Sequence, residues 1–84
     1  MSRGPAPGRK TKKLTYLEQR EWEGMEAKVL AAEARLSAAR RSTEDPAVAS
    51  DAEALAPRFI ELEAAQAEVD RLYERWAALE AKQQ

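Results

Sequence analysis

Two stretches of the sequence carry apolar residues at alternating intervals of three and four positions. Such spacing puts the side chains on one face of an α-helix, and a helix with one apolar face buries it only against a partner. The first stretch contains Trp22, Met25, Val29, Ala32, Leu36 and Ala39. The second contains Leu55, Leu62, Ala65, Val69, Leu72, Trp76 and Leu79. The sequence therefore predicts two amphipathic helices that cover each other's apolar faces.

The connection between the two stretches decides how the helices are arranged. Residues 42–46 (Ser-Thr-Glu-Asp-Pro) are turn formers that end in a helix breaker. A connection this short requires the two helices to run antiparallel. We therefore predict an all-α fold, a two-helix antiparallel coiled-coil hairpin over residues 13–84, preceded by a basic linker over residues 1–12. The predicted elements are a first helix at about 15–41, a turn at 42–50 and a second helix at about 51–82.

Polar residues that can cap a helix stand before both stretches. Thr15 and Glu18 have the spacing of a capping box, in which each side chain accepts a hydrogen bond from the backbone amide of the other residue. Ser50 and Glu53 repeat this spacing before the second stretch. We therefore expect a capping box at the start of each helix.

Proline and glycine modify this regular pattern at three positions. Asp45 followed by Pro46 favours a short helical turn within the connection. Gly24 costs its helix roughly 1 kcal/mol relative to alanine, and it either lets another backbone approach closely or has no role. Pro57 removes one backbone hydrogen bond and bends the second helix, unless the regular helix begins only at Ala56.

The spacing of the two stripes also suggests a register, in which a large residue faces a small one in several layers. Leu36 then faces Arg58, and we expect Phe59 to fill that layer while Arg58 lies along the surface. Trp76 faces Glu18, so the apolar repeat ends there. The residues expected to cover this open end are Leu14, Tyr16 and Leu17. The predicted layers are Ala32 with Leu62, Val29 with Ala65, Met25 with Val69, Trp22 with Leu72 and Ala39 with Leu55.

Composition excludes several classes of function for this 84-residue chain. It has no cysteine and no histidine, which removes disulfides, thiolate metal sites and imidazole catalysis. The carboxylates are spread over helix faces with no acid–base pair, so we predict that this chain is not an enzyme. No apolar run approaches ~18 residues and the N-terminus lacks a signal-peptide core, so we predict no membrane association and a cytoplasmic location. A two-helix core is small, so the chain is expected to be a monomer or a weak homo-oligomer.

Charge is divided unevenly along the sequence. The first 13 residues contain five basic residues and no acid, and the remaining residues contain nine bases and fifteen acids. The same segment is rich in proline and glycine and too polar to fold by itself. We interpret it as a basic linker that connects the hairpin to an upstream domain or lies along a polyanion, or in part as a cloning remnant.

Two motifs at the ends of the hairpin resemble one protein family. Residues 13–21 (Lys-Leu-Thr-Tyr-Leu-Glu-Gln-Arg-Glu) resemble the opening of the C-terminal domain of Uup-type ABC-F ATP-binding proteins. Residues 72–76 (Leu-Tyr-Glu-Arg-Trp), followed by Leu79 and Glu80, are similar to the run that closes that domain. The Asp-Pro pair in the connection also agrees, so the resemblance covers about residues 12–81.

This resemblance implies a parent protein with two ATP-binding cassettes in one soluble chain and this hairpin after the second. ATP and Mg²⁺ would be cofactors of that parent, and no cofactor is expected in this chain because it has no Gly-rich phosphate loop. Partners implied by the resemblance are DNA or structured RNA, the cassettes of the parent ATPase, and the ribosome.

Basic residues at two places are therefore candidate contacts for nucleic-acid phosphates, which attract lysine and arginine without sequence readout. The first place is the linker and first helical turn, and the second is the connection. The candidates are Arg9, Lys10, Lys12, Lys13, Arg20, Arg40 and Arg41, with Arg35 close to the last two. Arg40 and Arg41 also suit the negative end of a helix dipole, and because Glu44 and Asp45 are adjacent this capping role is favoured over binding. Tyr16, Trp22, Tyr73 and Trp76 can be stacking platforms for bases, although the heptad positions of the tryptophans favour the core.

We therefore predict a nucleic-acid-binding accessory domain of an ABC-F ATPase, with DNA as the preferred partner. The alternative is a spacer that docks on the ATPase cassettes or the ribosome and sets a distance of ~40 Å, the length of one such helix. A third possibility is self-association of two hairpins into a four-helix bundle.

Overall fold

The computed structural model describes residues 14–83, and these residues form an antiparallel helical hairpin. The helices are α1 (Tyr16–Glu23), α2 (Met25–Thr43) and α3 (Ala52–Lys82), with a 3-10 helix at Pro46–Val48 between the last two. The described residues contain no strand. The hairpin is a rod whose longest helix, α3, has 31 residues and is therefore about 46 Å long. The all-α hairpin predicted from the apolar stripes is thereby confirmed. None of the helices between residues 14 and 83 combines the length and apolarity needed to cross a membrane.

The capping box predicted at the start of the first helix is present. The Thr15 hydroxyl accepts a hydrogen bond from the Glu18 backbone N–H at 3.1 Å, and the Glu18 carboxylate accepts one from the Thr15 N–H at 3.0 Å. Two amide groups that the helix leaves without intrahelical partners are therefore satisfied at the point where the chain enters the hairpin.

The connection also contains the predicted helical turn, but α3 is capped differently from the prediction. Asp45 accepts a hydrogen bond from the Ala47 N–H at 2.9 Å and caps the 3-10 helix that Pro46 opens. The cap of α3 is Asp51, whose carboxylate accepts from the Ala54 N–H at 3.1 Å. The expected capping box at Ser50 and Glu53 is wrong, because the chain remains in a turn through Ser50 and the carboxylate of Asp51 takes the capping position.

Gly24 interrupts the first predicted helix and divides it into α1 and α2. Its N–H lies 3.2 Å from the carbonyl oxygens of both Arg20 and Glu21, which is a local tightening of the helix. The Lys28 N–H still reaches the Gly24 carbonyl at 3.2 Å, so the chain keeps its direction. A Cβ added at Gly24 would meet only those two carbonyls, at 3.7 and 4.0 Å. Of the two alternatives for Gly24, close approach of another backbone is therefore excluded within the described residues.

Pro57 lies inside α3, which is continuous from Ala52. The alternative that regular helix begins only at Ala56 is therefore wrong. The proline ring leaves one carbonyl of the first turns without its helical partner, which α3 tolerates near its start.

The core is a single apolar seam between α3 and the α1–α2 arm. Leu14, Trp22, Leu62 and Trp76 are partly buried and pack against it. Both tryptophans therefore belong to the core, as their heptad positions predict. The buried residues are Met25, Val29, Ala32, Leu36, Ala39, Ala65, Val69, Leu72 and Leu79.

Polar pairs across the hairpin determine its register. Arg35 binds Glu61, and two heptads away Glu21 binds Arg75, so the offset between the helices is constant along this edge. On the opposite edge the Trp22 indole N–H donates to Glu80 at 2.9 Å. These offsets place core residues opposite one another as follows: Trp22 with Leu79, Met25 with Trp76, Val29 with Leu72, Ala32 with Val69, Leu36 with Ala65 and Ala39 with Leu62.

The predicted register is therefore wrong by one heptad, although the hairpin itself is correct. Leu36 faces Ala65 rather than Arg58, so Phe59 is not needed to fill that layer. Phe59 is instead 50% exposed. Arg58 instead donates to the Ser42 carbonyl at 2.8 Å and closes the connection. Leu79 is 0% exposed, which shows that the apolar repeat continues to the end of α3.

The cover predicted for the open end of the core is only partly present. Leu14 packs against the core, but Tyr16 and Leu17 are 71% and 76% exposed. With the observed register, Trp76 and Leu79 already meet Met25 and Trp22, so no open end remains for those two side chains to cover.

The conformation of Gly24 yields a stability prediction. Its φ of −94° and ψ of 0° are open to any L-residue, and an added Cβ makes only ordinary contacts. Gly24→Ala should therefore raise the free energy of unfolding by about 0.4–1 kcal/mol, because alanine restricts the unfolded chain and favours helix. Urea unfolding followed by circular dichroism measures the change. A loss of stability would show that the break between α1 and α2 requires glycine.

Candidate nucleic-acid interface

The structure places the predicted contact residues in two separate groups. Arg9, Lys10, Lys12 and Lys13 lie outside the described residues. Arg20 is in α1, close to the point where the basic linker enters the hairpin, whereas Arg40 and Arg41 are in the last turn of α2. Twenty residues of helix correspond to ~30 Å, so these two groups do not form one site.

Arg20 is exposed, and a neighbouring tyrosine holds its side chain. Its Nη1 donates to the Tyr16 hydroxyl at 3.0 Å, and the guanidinium carbon lies 5.9 Å from the centre of the tyrosine ring. Within residues 14–83 Arg20 forms no ion pair. The guanidinium therefore keeps donor groups that face solvent next to the basic linker.

Arg40 and Arg41 are also exposed, at the connection end of the rod. Arg41 donates to the Ser37 hydroxyl at 2.9 Å, and neither arginine forms an ion pair in the part of the chain that the structure describes. The neighbouring Asp45 instead approaches Arg58 at 3.4 Å. Their position in the last turn also suits the helix dipole, so geometry is compatible with both interpretations of these arginines.

Arg35 does not join the connection group, because it binds across the hairpin. Its Nε and Nη2 atoms donate to the two carboxylate oxygens of Glu61 at 2.7 and 2.9 Å. Arg75 makes the same two-bond pair with Glu21, also at 2.7 and 2.9 Å. We call the side of the hairpin that carries these two pairs the ion-pair edge.

Sequence reasoning missed the ion-pair edge, because it treated these carboxylates as solvated and unpartnered. Lys82 adds a further pair with Glu18 at the linker end of the rod, and Arg71 binds Glu68 within α3 at 2.8 and 3.1 Å. The signal was present in the sequence. Glu21, Lys28 and Arg35 recur every seven residues in the first arm, as Glu61, Glu68 and Arg75 do in the second. Such positions flank the core seam of a coiled coil and pair across it.

The ion pairs lower the pKa of the carboxylates that form them. The hydrogen bond from Arg75 holds the pKa of Glu21 below its ordinary value of 4.5, and the bond from Arg35 does the same for Glu61. The hydrogen bond from Lys82 lowers the pKa of Glu18. In each pair the charged carboxylate is the form that the fold favours.

The aromatic residues proposed as stacking platforms are mostly engaged in the fold. The indole N–H of Trp22 donates to Glu80. The Tyr73 hydroxyl donates to Glu33 at 2.7 Å, and this hydrogen bond raises the pKa of Tyr73. The rings of Tyr73 and Trp76 are stacked with centres 6.2 Å apart. Tyr16 is the most exposed of the four aromatic candidates and supports Arg20. Within residues 14–83 no cluster of acidic residues is arranged to bind a metal ion.

The lowered pKa values give a prediction for the stability of the hairpin in acid. Because the folded-state pKa of Glu21 and Glu61 is depressed, the stabilisation from their ion pairs is present above about pH 4.5 and is lost as pH falls through the folded pKa values. Glu21→Gln/Glu61→Gln should therefore melt at a lower temperature than the matched variant Glu26→Gln/Glu63→Gln at pH 7. The difference should shrink as pH falls through the folded pKa values and vanish once these carboxylates are protonated in the folded chain.

Circular dichroism melts of both variants at several pH values make this measurement. The control removes two carboxylates that form no ion pair within the described chain, so the comparison cancels the change in net charge. Equal melting temperatures at pH 7, or a difference that persists in acid, would contradict the assignment.

The comparison with known families agrees with this architecture. Residues 13–81 match the family model described as ABC transporter C-terminal domain. No curated protein and no solved structure shows significant similarity to the chain. The matched range begins one residue before the described hairpin and includes nearly all of α3. The chain therefore belongs to the ABC transporter C-terminal domain family.

Proposed function

We propose that this chain is a nucleic-acid-binding accessory domain of a soluble, Uup-type ABC-F ATPase, with DNA as its preferred partner. Membership of the family makes it an accessory domain of an ABC protein. The observation that carries the nucleic-acid proposal is the segregation of charge. Five bases without an acid precede a hairpin with six more acids than bases, and a polyanion is attracted to the first and repelled by most of the second.

The proposed contacts are made to phosphates and do not read sequence. Lys10, Lys12 and Lys13 lead along the chain to Arg20, so the exposed guanidinium held by Tyr16 extends the basic segment onto the hairpin. Each lysine or arginine near a phosphate releases condensed counterions, which supplies affinity that falls steeply with salt. Arg40 and Arg41 would make a second contact at the far end of the rod.

The parent protein would supply the ATP-dependent step. By resemblance it contains two ATP-binding cassettes that use ATP and Mg²⁺, and it works in the cytoplasm on nucleic acid or the ribosome. In this proposal the hairpin has no catalytic role and holds the substrate of the parent near its cassettes.

A second candidate is a spacer that docks on the ATPase cassettes or on the ribosome. The length of α3, about 46 Å, and a core that extends to its last turn favour this role, because they fit a stiff arm. The two candidates differ in what the basic residues do, since a spacer docks without needing them.

A binding titration tests the proposal. The basic segment and Arg20 would make about five phosphate contacts, which contribute roughly −4.5 to the slope of the logarithm of the affinity for duplex DNA against the logarithm of salt concentration. Replacing Arg9, Lys10, Lys12 and Lys13 by glutamine should reduce the magnitude of the slope by about 3.6. Fluorescence anisotropy of a labelled duplex at several salt concentrations measures both slopes.

The matched control keeps the charge of the basic segment and changes its chemistry. Lys10→Arg/Lys12→Arg/Lys13→Arg should bind with nearly the slope of the unaltered chain, because phosphate attraction depends on charge. Absence of binding by the unaltered chain at low salt would refute the proposal. If the glutamine variant still docks on the ATPase cassettes, that result would favour the spacer.

A further inference from the structure

A shallow groove runs along the ion-pair edge between the two arms of the hairpin. Its volume is about 440 Å³. Small and apolar residues form part of it, among them Ala31, Ala32 and Leu72, and no aromatic ring lines it. The charged residues along it are Glu21, Lys28, Arg35, Glu68, Arg71 and Arg75.

The groove has an excess of positive charge on a hairpin that is acidic as a whole. Four of its charged residues are basic and two are acidic, and with the ion-pair partners Glu61, Glu18 and Lys82 the balance is five bases against four acids. On the opposite edge of the described hairpin, two glutamates accept hydrogen bonds from aromatic side chains. They are Glu33, bound by Tyr73, and Glu80, bound by Trp22. An anion that approaches the described rod is therefore favoured on the groove side.

The three arginines of the groove are bound by carboxylates in the same manner. In each, Nε and Nη2 donate to a glutamate, as Arg35 does to Glu61, Arg71 to Glu68 and Arg75 to Glu21. The Nη1 group of each arginine donates to no acceptor within residues 14–83. The carboxylates thus fix the planar guanidinium groups and leave N–H donors for another acceptor.

Lys28 adds a cation without an ion-pair partner in the described chain. It lies one heptad from Arg35, so these two charges are separated by about 10 Å along the rod. Phosphates of one DNA strand recur every 3.4 Å along the duplex axis, so the groove can reach two or three of them. Its open shape does not suit a small molecule, which binds in a site that encloses most of its surface.

We infer that this groove binds the phosphate backbone of a nucleic acid through Lys28 and the Nη1 groups of Arg35, Arg71 and Arg75. The inference rests on the proposed function and adds a contact surface on the body of the hairpin to the basic segment. The glutamates of the groove are positioning residues, because they hold the arginines and do not touch the ligand.

Matched variants test the groove against general charge effects. Lys28→Gln/Arg71→Gln removes two cations from the groove, whereas Ala34→Glu/Ala77→Glu lowers the net charge equally at exposed positions outside it. In anisotropy titrations with duplex DNA, the groove variant should bind roughly tenfold more weakly at ~0.1 M salt, with a salt slope smaller in magnitude by about 1.8. The control should keep the slope of the unaltered chain. Circular dichroism establishes that both variants are folded.

The outcomes separate this inference from the proposed function. If the unaltered chain does not bind DNA, the proposed function is refuted and the groove assignment fails with it. If it binds and the groove variant keeps the full slope, or both variants weaken equally, only the groove assignment is refuted.

Nuclear magnetic resonance distinguishes a polymer backbone from free phosphate. Duplex DNA should shift the amide resonances of Lys28, Ala31 and Arg71, and inorganic phosphate at the same phosphorus concentration and ionic strength should leave them unchanged. Equal shifts with inorganic phosphate would mean that the groove is a small-anion site and would overturn the assignment to a nucleic acid.

Discussion

The register between the two arms is the constraint on which the rest of this structure depends. A heptad repeat allows several registers, because a shift of seven residues again sets apolar side chains opposite one another. The charges beside the seam remove this ambiguity. In the observed register Glu21 meets Arg75 and Arg35 meets Glu61. A shift by one heptad to the other candidate register would bring Glu21 to Glu68 and leave Arg35 facing Ala54. Exposed ion pairs add little stability individually, so they reinforce a register that the burial of Leu79 also favours.

This register also creates the surfaces to which a function is assigned. It brings Arg75 and Arg71 beside Lys28 and so forms the groove, and it closes the linker end of the rod by joining Glu18 to Lys82. The basic segment therefore enters at a well-held helix start. Because most of the hairpin is acidic, a polyanion has few places to bind. The proposed contacts are therefore confined to the linker with Arg20, the arginines at the connection and the groove.

The features that follow from local chemistry could be predicted from the sequence, and those that depend on long-range geometry could not. The apolar stripes predict the two arms, Thr15 and Glu18 predict their capping box, and Asp45 with Pro46 predicts the 3-10 helix. The register was missed although the sequence carried two signals against the predicted one. Leu36 and Trp76 faced charged residues in it, and the charges at the edge of the seam were left without partners. The residues that line the groove depend on the register, so the groove could not be predicted from the sequence. The expectation that Leu17 covers the open end of the core failed for the same reason, since Leu79 closes that end.

Nuclear Overhauser contacts across the seam test the central claim most directly. In the isotope-labelled chain, the indole protons of Trp22 should show contacts to the methyl groups of Leu79, and the methyl groups of Leu36 should show contacts to the methyl of Ala65. Contacts from Trp22 to Leu72, together with contacts from Ala32 to Leu62, would instead establish the register displaced by one heptad and would contradict this account of the hairpin and its groove.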